Sequence, residues 1–521
     1  MGNLIHRALV GALVALAFLA VAKAGIIGLY PPNRFTPTPQ ADGPAPVPEC
    51  CGTGCTGSKY LAGGPDTAHW GYFYDGLEPA MVVNDGDEFI VEMPTLAANN
   101  AYELMIEGDP AMEQLYGWEA GQPPTVAMHG PYGNAGGHIM TGPVYVCGAE
   151  PGDVVQLEIL ELWPRPNPGK DNRTFGATIN AGCGWQNRAG YLNGTNQGIV
   201  IYEIIKDPAT GKNLYWEPVY SYQLNKLVNH TSPGCVPQSG EVPRTTPQGA
   251  ATWNNPDYTF SNRSVPCVDG EQMWTYPFGY SGHQYVIPEE LRDYSIKGKY
   301  RLPVNMHVGN LIIAPKLGAT VFTTPPMRTG GNVDNRRIGI GATMYYPVEV
   351  PGALISMGDC HGGMGDGETS CTGIETSLNG RFKVTVHKAG SLPPIVQNLN
   401  YPLIENANEF VINGYAYADY VREVPNPQTN ISVVGVDLNR AYTVVFNQTR
   451  DFLMTVYNLT EDESISVMGA AIDFGVTQVV DANVGVHSII PKWLFNSSMW
   501  ESEPQYLPKV MSGTSRPPEL A

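Results

Sequence analysis

Gly358-Asp-Cys-His-Gly-Gly-Met-Gly-Asp-Gly-Glu368 is the stretch from which the rest of this chain is read. Asp359, His361, Asp366 and Glu368 sit among Gly358, Gly362, Gly363, Gly365 and Gly367. Glycine accepts backbone angles closed to other residues, so the segment can turn carboxylates and an imidazole toward one point. An Asp-x-His pair with a nearby Glu offers the oxygen and nitrogen ligands that suit zinc or a similar divalent ion. The same set offers an acid, a base and an orienting group. Residues 344–357 read as two short strands joined by a Pro-Gly turn, which puts the polar loop at a strand end. The motif residues alone leave open an acidic surface turn, or a calcium loop that only braces the fold.

Three further stretches narrow the choice. They are Thr141-Gly-Pro-Val-Tyr-Val-Cys-Gly-Ala-Glu-Pro-Gly-Asp153, Gly330-Gly-Asn-Val-Asp334, and Asp473-Phe-Gly-Val-Thr-Gln-Val-Val-Asp481 continuing to Gly485-Val-His487. With the 358–368 motif they resemble, in order, segments of the acetamidase/formamidase family of amide hydrolases, over roughly residues 67 to 495. The sequence departs from the family pattern at Met364, where the family usually has Gln. The resemblance implies a mostly β, α+β protein of β-sandwich domains with a C-terminal α+β portion. The expected segments are an N-terminal β domain with long insertions (67–300), a β domain carrying the motif (301–405), and the α+β portion (406–496).

Composition agrees with that class. The chain has 521 residues, enough for two or three domains, and its 59 Gly and 45 Pro suit many short strands and turns. Its formal net charge of -19 argues against nucleic acid and anionic membranes as partners. Residues 1–24 read as a secretory signal: His6 and Arg7, an apolar run to Ala22, then Ala22-Lys23-Ala24 as a cleavage site, with an uncleaved membrane anchor as the alternative. N-x-S/T sequons begin at Asn172, Asn193, Asn229, Asn262, Asn430, Asn447, Asn458 and Asn496. With nine cysteines they point to a secreted, disulfide-bonded glycoprotein that is free of the membrane after signal cleavage. Bridges are expected within Cys50, Cys51 and Cys55, and within Cys183, Cys235 and Cys267.

Along the chain, residues 25–66 read as a Pro/Gly-rich extended leader and 497–521 as a loose tail. Residues 80–92 read as strand, Asp-Gly turn, strand. Residues 142–147 and 154–162 read as strands joined by Glu-Pro-Gly-Asp, and 198–205 and 214–224 as further strands. His69 precedes the first pair and His138 the second, each open to a packing role or a site role, with His129 the weaker neighbour of His138. From Asp437, Leu438, Ala441, Val445, Phe452 and Val456 recur at helical spacing. Thr460-Glu-Asp-Glu463 is a capping box opening a second helix, with Ile465, Met468 and Ile472 on one face.

The resemblance implies cleavage of the carbon–nitrogen bond of a small linear amide, with zinc as the expected divalent metal. Asp359 and His361 are the first-choice ligands, with His138 or His69 completing the sphere. Glu368 is assigned as general base, Asp366 as the group that orients the loop or His361, and Asn332 as a substrate contact or turn cap. Cys360 between Asp359 and His361 invites a thiol nucleophile. Adjacent residues point apart, however, so a buried thiol or a bridge to Cys371 is expected instead. The runner-up reading is a secreted, non-catalytic glycoprotein binding a small ligand on the same scaffold. Self-association is left open.

Overall fold

Three tight turns set the architecture, and none of them closes a hairpin. Met81–Val83 is followed by a turn in which Asp87 N donates to Asn84 O at 3.1 Å, and then by Glu88–Met93. Ile139–Val146 leads through the Glu150–Asp153 turn into Val154–Pro164, and Thr343–Pro347 leads through Pro351-Gly352 into Ile355–His361. In each case one strand enters a six-stranded sheet and the other a nine-stranded sheet. The expected strands form, but the expected hairpins are corners between two layers. A turn sequence marks where a strand ends; which neighbour it pairs with depends on residues far along the chain.

The computed structural model describes residues 47–116, 137–180, 184–188, 198–223, 267–268, 271–272, 287, 289–316, 321–417, 419–424 and 437–496. The signal segment, residues 25–46 of the leader, the tail, His129 and the sequons at Asn193, Asn229, Asn262 and Asn430 lie outside these residues. So do Cys183 and Cys235.

The smaller sheet runs Gly330–Asn332, His307–Ile313, Ile355–His361, Ile139–Val146, Ala68–Trp70, with Met81–Val83 added in parallel to Ile139–Val146. The larger runs Tyr60–Leu61, Glu88–Met93, Leu378–His387, Val154–Pro164, Thr343–Pro347, Leu403–Glu405, Glu409–Tyr415, Gly485–Pro491, Asp473–Gln478. Side chains from both meet in one apolar core, Val91, Leu157 and Val384 against Val308, Leu311, Met357 and Cys360. This is the sandwich arrangement. The larger sheet draws strands from all three expected segments, 67–300, 301–405 and 406–496. Phe175–Asn180, Gly198–Lys206 and Asn213–Gln223 form a further three-stranded sheet.

The helical portion follows its sequence signals. Asp437 caps Leu438–Tyr457 by accepting from Arg440 N at 3.1 Å, and Ala441, Val445 and Leu453 bury against Phe410, Ile412 and Ile490. The Thr460/Glu463 capping box opens Glu461–Ala471. Met468 is buried as expected, whereas Ile465 is exposed. The leader is tied down from residue 47 onward. Tyr60–Leu61 extends the larger sheet, and Cys50–Cys55 and Cys51–Cys147 are disulfides, so Cys51 pairs outside its expected group. No helix among the described residues is long and apolar enough to cross a membrane.

Candidate active site

The motif begins inside a strand. Ile355–His361 is buried throughout, and the loop starts only at Gly362. Period-two alternation gives Asp359 and His361 one face and turns Cys360 to the other. There Cys360 is free and buried, its sulfur 3.6 Å from Met93 Sδ. Burial raises its pKa, so it is an inert core thiol and has no bridge to Cys371.

On the Asp359/His361 face the chain assembles five buried carboxylates. Asp359 comes from this strand, Asp334 from the turn after Gly330–Asn332, Glu368 from the motif loop, Glu375 from the segment that follows it, and Asp481 from the segment after Asp473–Gln478. Ligand-type atoms lie within 4.8 Å of one another in three overlapping sets: Asp334/Asp359/His361, His361/Glu368/Glu375, and Asp334/Glu368/Asp481. Two backbone bonds set the last of these. Gly367 N donates to Thr477 O at 3.0 Å and Val479 N to Gly367 O at 3.1 Å. Gln478 Oε1 then accepts from Val480 N and Asp481 N, both at 2.9 Å, fixing the Asp481 turn.

The backbone is bent to make this possible. Asp334, Asp359 and Glu368 all have left-handed φ, at 47°, 50° and 43°. Non-glycine residues avoid that region, and strain held in place by surrounding structure concentrates at functional sites. Glycine supplies the room: a Cβ on Gly309 would fall 2.4 Å from Asp334 Oδ1 and 2.8 Å from His361 Cε1, and one on Gly358 would fall 2.0 Å from Ile139 O.

Electrostatically the cluster is under-compensated. Among the described residues none of the five acids pairs with Lys or Arg. His361 Nε2 lies 2.9 Å from Glu375, 3.8 Å from Glu368 and 4.0 Å from Asp359, and His138 Nε2 lies 3.5 Å from Asp359. Burial, with the neighbouring charges of Asp481 and Asp359, pushes the Asp334 pKa well up; burial, Asp334 and Asp481 do the same to Glu368. Burial lifts Glu375 to about 7 against the pull of His361. His361 itself reaches about 9: burial opposes its charge, but Glu375 outweighs it. Burial and the charge of His361 drop His307 to about 3.

Both Asp334 oxygens, Glu368 Oε2, Glu375 Oε2, Asp481 Oδ2 and His361 Nε2 are buried without a hydrogen-bond partner. The 2.9 Å approach of His361 Nε2 to Glu375 is therefore close but not aligned as a hydrogen bond. Several acceptors converging on one point without donors is a donor set that fits one or more divalent cations.

The remaining expected residues are distributed as follows. His138 touches the cluster through Asp359, its Nδ1 being 3.2 Å from Thr323 Oγ1. Asn332 is buried with Oδ1 unpartnered, two residues from Asp334. His69 is buried away from the ligand sets, with Nδ1 2.8 Å from Tyr72 O and Nε2 3.0 Å from Ser356 Oγ; it is a packed histidine rather than a ligand. Asp366 is turned out of the cluster, 3.1 Å from both Arg336 Nε and Arg337 Nη1. Arg337 also donates to His487 Nε2 at 3.1 Å, so Asp366 anchors the loop and does not reach His361. His307 lies in a segment that reads as an active-site-adjacent turn followed by a buried strand, and Glu375 carries no sequence signal, lying outside the motif. Asp334 and Asp481 stood in quoted segments without a ligand role.

Residues 305–497 match the model described as the Acetamidase/Formamidase family, and every residue of the cluster except His138 falls inside that stretch. The particular relatives agree. The chain is 28% identical over 243 residues to an acetamidase of Mycolicibacterium smegmatis, covering 46% of this chain and 50% of that protein. It is 40% identical over 81 residues to a formamidase of Methylophilus methylotrophus, covering 14% of this chain and 20% of that protein. The chain thus spans about half the length, or less, of these curated relatives. An acetamidase crystal structure from Yersinia enterocolitica superposes with a TM-score of 0.50 at 16% identity, over 84% of this chain and 93% of that one, which speaks for the fold alone.

Proposed function

We propose that the protein hydrolyses the carbon–nitrogen bond of a small linear amide to carboxylate and ammonia, with the buried acid–imidazole cluster as its centre. The observation that carries this reading is the convergence of Asp334, Asp359, His361, Glu368, Glu375 and Asp481 on one site, all but Asp359 with an inward atom that has no hydrogen-bond partner. The named relatives supply the reaction class.

Amides are poor electrophiles and their nitrogen leaves only when protonated. Asp334, Asp359 and His361 are the residues that would hold a divalent ion, zinc first, with Asp481 and Glu375 beside them. When bound, such an ion polarises a carbonyl and lowers the pKa of water toward about 7. Glu368 is suited to hold and move the proton. Its pKa is raised by burial, so it can take a proton from the attacking water and return it to the leaving nitrogen. Asn332 Oδ1, buried and unpartnered, would accept an N–H of the substrate amide. Asp366 keeps a supporting role through Arg337, holding the loop that carries Glu368.

Secretion and glycosylation belong to the same proposal. Asn172, Asn447, Asn458 and Asn496, the described sequon asparagines, are all exposed, and two disulfides tie down the end of the leader. The decisive assay is ammonia release from formamide and acetamide by the purified protein. Saturable release supports the reading; none from any short linear amide, with metal supplied, leaves the ligand-binding alternative.

A further inference from the structure

We infer that His307 is the positioning residue that decides which nitrogen of His361 faces the acidic cluster. The inference rests on the metal reading above and assigns a residue outside the ligand set. His307 Nδ1 lies 2.8 Å from the Asn305 carbonyl oxygen. A carbonyl only accepts, so Nδ1 carries the hydrogen. His307 Nε2 lies 3.0 Å from His361 Nδ1, with one hydrogen to share between them. His361 has three carboxylates within 4.0 Å, whereas His307 has no ion pair with a carboxylate among the described residues. With its hydrogen on Nδ1, the His307 ring presents Nε2 as the acceptor. His361 Nδ1 must then donate, which leaves Nε2 directed at Glu375, Glu368 and Asp359.

The acceptor is itself fixed. Asn305 N donates to Gly362 O at 2.9 Å, and Trp216 Nε1 donates to the same oxygen at 2.9 Å. Gly362 follows His361, so the hydrogen bonds close a ring: Gly362, Asn305, His307, His361. Both imidazoles are fully buried, so water cannot replace the bond. The opposite tautomer of His361 would face one lone pair with another and lose it. Ligating histidines are held in this way through their second ring nitrogen.

Zinc affinity of the full-length protein, by competition with a chromophoric chelator near neutral pH, tests this on His307→Phe and His307→Gln. A Gln oxygen can accept from His361 Nδ1; Phe cannot. His307→Phe should bind zinc about 10–100-fold more weakly, while His307→Gln stays near the wild type. A folded His307→Phe with wild-type affinity overturns the inference, and so does equal weakening in both variants, which would mean packing alone. Should His307→Phe not fold, His307→Met takes its place under the same criteria. If the wild type binds no zinc, the metal reading fails and this inference with it.

Discussion

Two groups of largely buried acids sit in this molecule and are treated in opposite ways. Glu92 and Asp109 share Arg165, which forks onto Asp109 at 2.9 and 3.1 Å and reaches Glu92 with its remaining nitrogen. Each acid faces the guanidinium and is hydrogen-bonded to it, as in a structural ion pair. Asp334, Asp359, Glu368, Glu375 and Asp481 have no arginine or lysine among the described residues, and most of their inward atoms have no donor. A fold that brings a cation to two acids and no lysine or arginine to the other five, among the described residues, leaves those five open to a ligand. The lesson is that burial of charge does not by itself mark a site; burial without a partner does.

That contrast can be broken at several points. The largest expected effect is on rate: Glu368→Gln keeps the shape and removes the base, so turnover should fall by about two to four orders of magnitude with folding intact. Near-normal amide hydrolysis in this variant would make the carboxylate structural. Loss of bound metal as well would make Glu368 a ligand. Arg165→Met should do the reverse, costing about 3–5 kcal/mol in denaturant unfolding because buried Asp109 and half-buried Glu92 lose their cation. Activity per folded molecule should not change; if it falls sharply, the two groups are not independent.

Smaller effects concern the metal-free protein. Asp334→Asn removes one of several mutually repelling acids, and should stabilise chelator-treated protein by roughly 1 kcal/mol while weakening metal binding. Destabilisation of the chelated variant would show that the Asp334 charge is compensated. The pH dependence has a defined sign. Glu375 and His361 have folded pKa values raised to about 7 and about 9, above their ordinary 4.5 and 6.5. The stability they contribute is complete below the ordinary values and is lost as pH rises through the folded ones. His307 and His487, lowered by burial to about 3 and about 4, act only on the acid side of 6.5. Chelated protein should therefore lose thermal stability between pH 7 and 9, and added zinc should flatten the loss. A melting temperature that holds or rises over that interval contradicts the assignment.

The sequence showed the chemistry of the site more readily than its membership. Asp359, His361 and Glu368 are close in sequence and close in space because one strand and its loop carry them. Asp366 has the same apparent credentials, but Arg336 and Arg337, far upstream, draw it outward. Glu375 enters because its backbone pairs with Ala177, so nothing near it in sequence announces it. Asp481 is brought in by the bonds of its segment to Gly367. The strands were legible from alternation and turns. Their division between two sheets was not, since corner and hairpin share the same turn residues.

The central claim is that the unpartnered acids hold a divalent metal needed for amide hydrolysis. Its most direct test is elemental analysis of the purified protein, with ammonia release measured before chelation, after it, and after zinc is returned. The expected result is at least about one divalent ion per chain, loss of turnover on its removal, and recovery on its return. Full turnover in protein verified to contain no metal would contradict it.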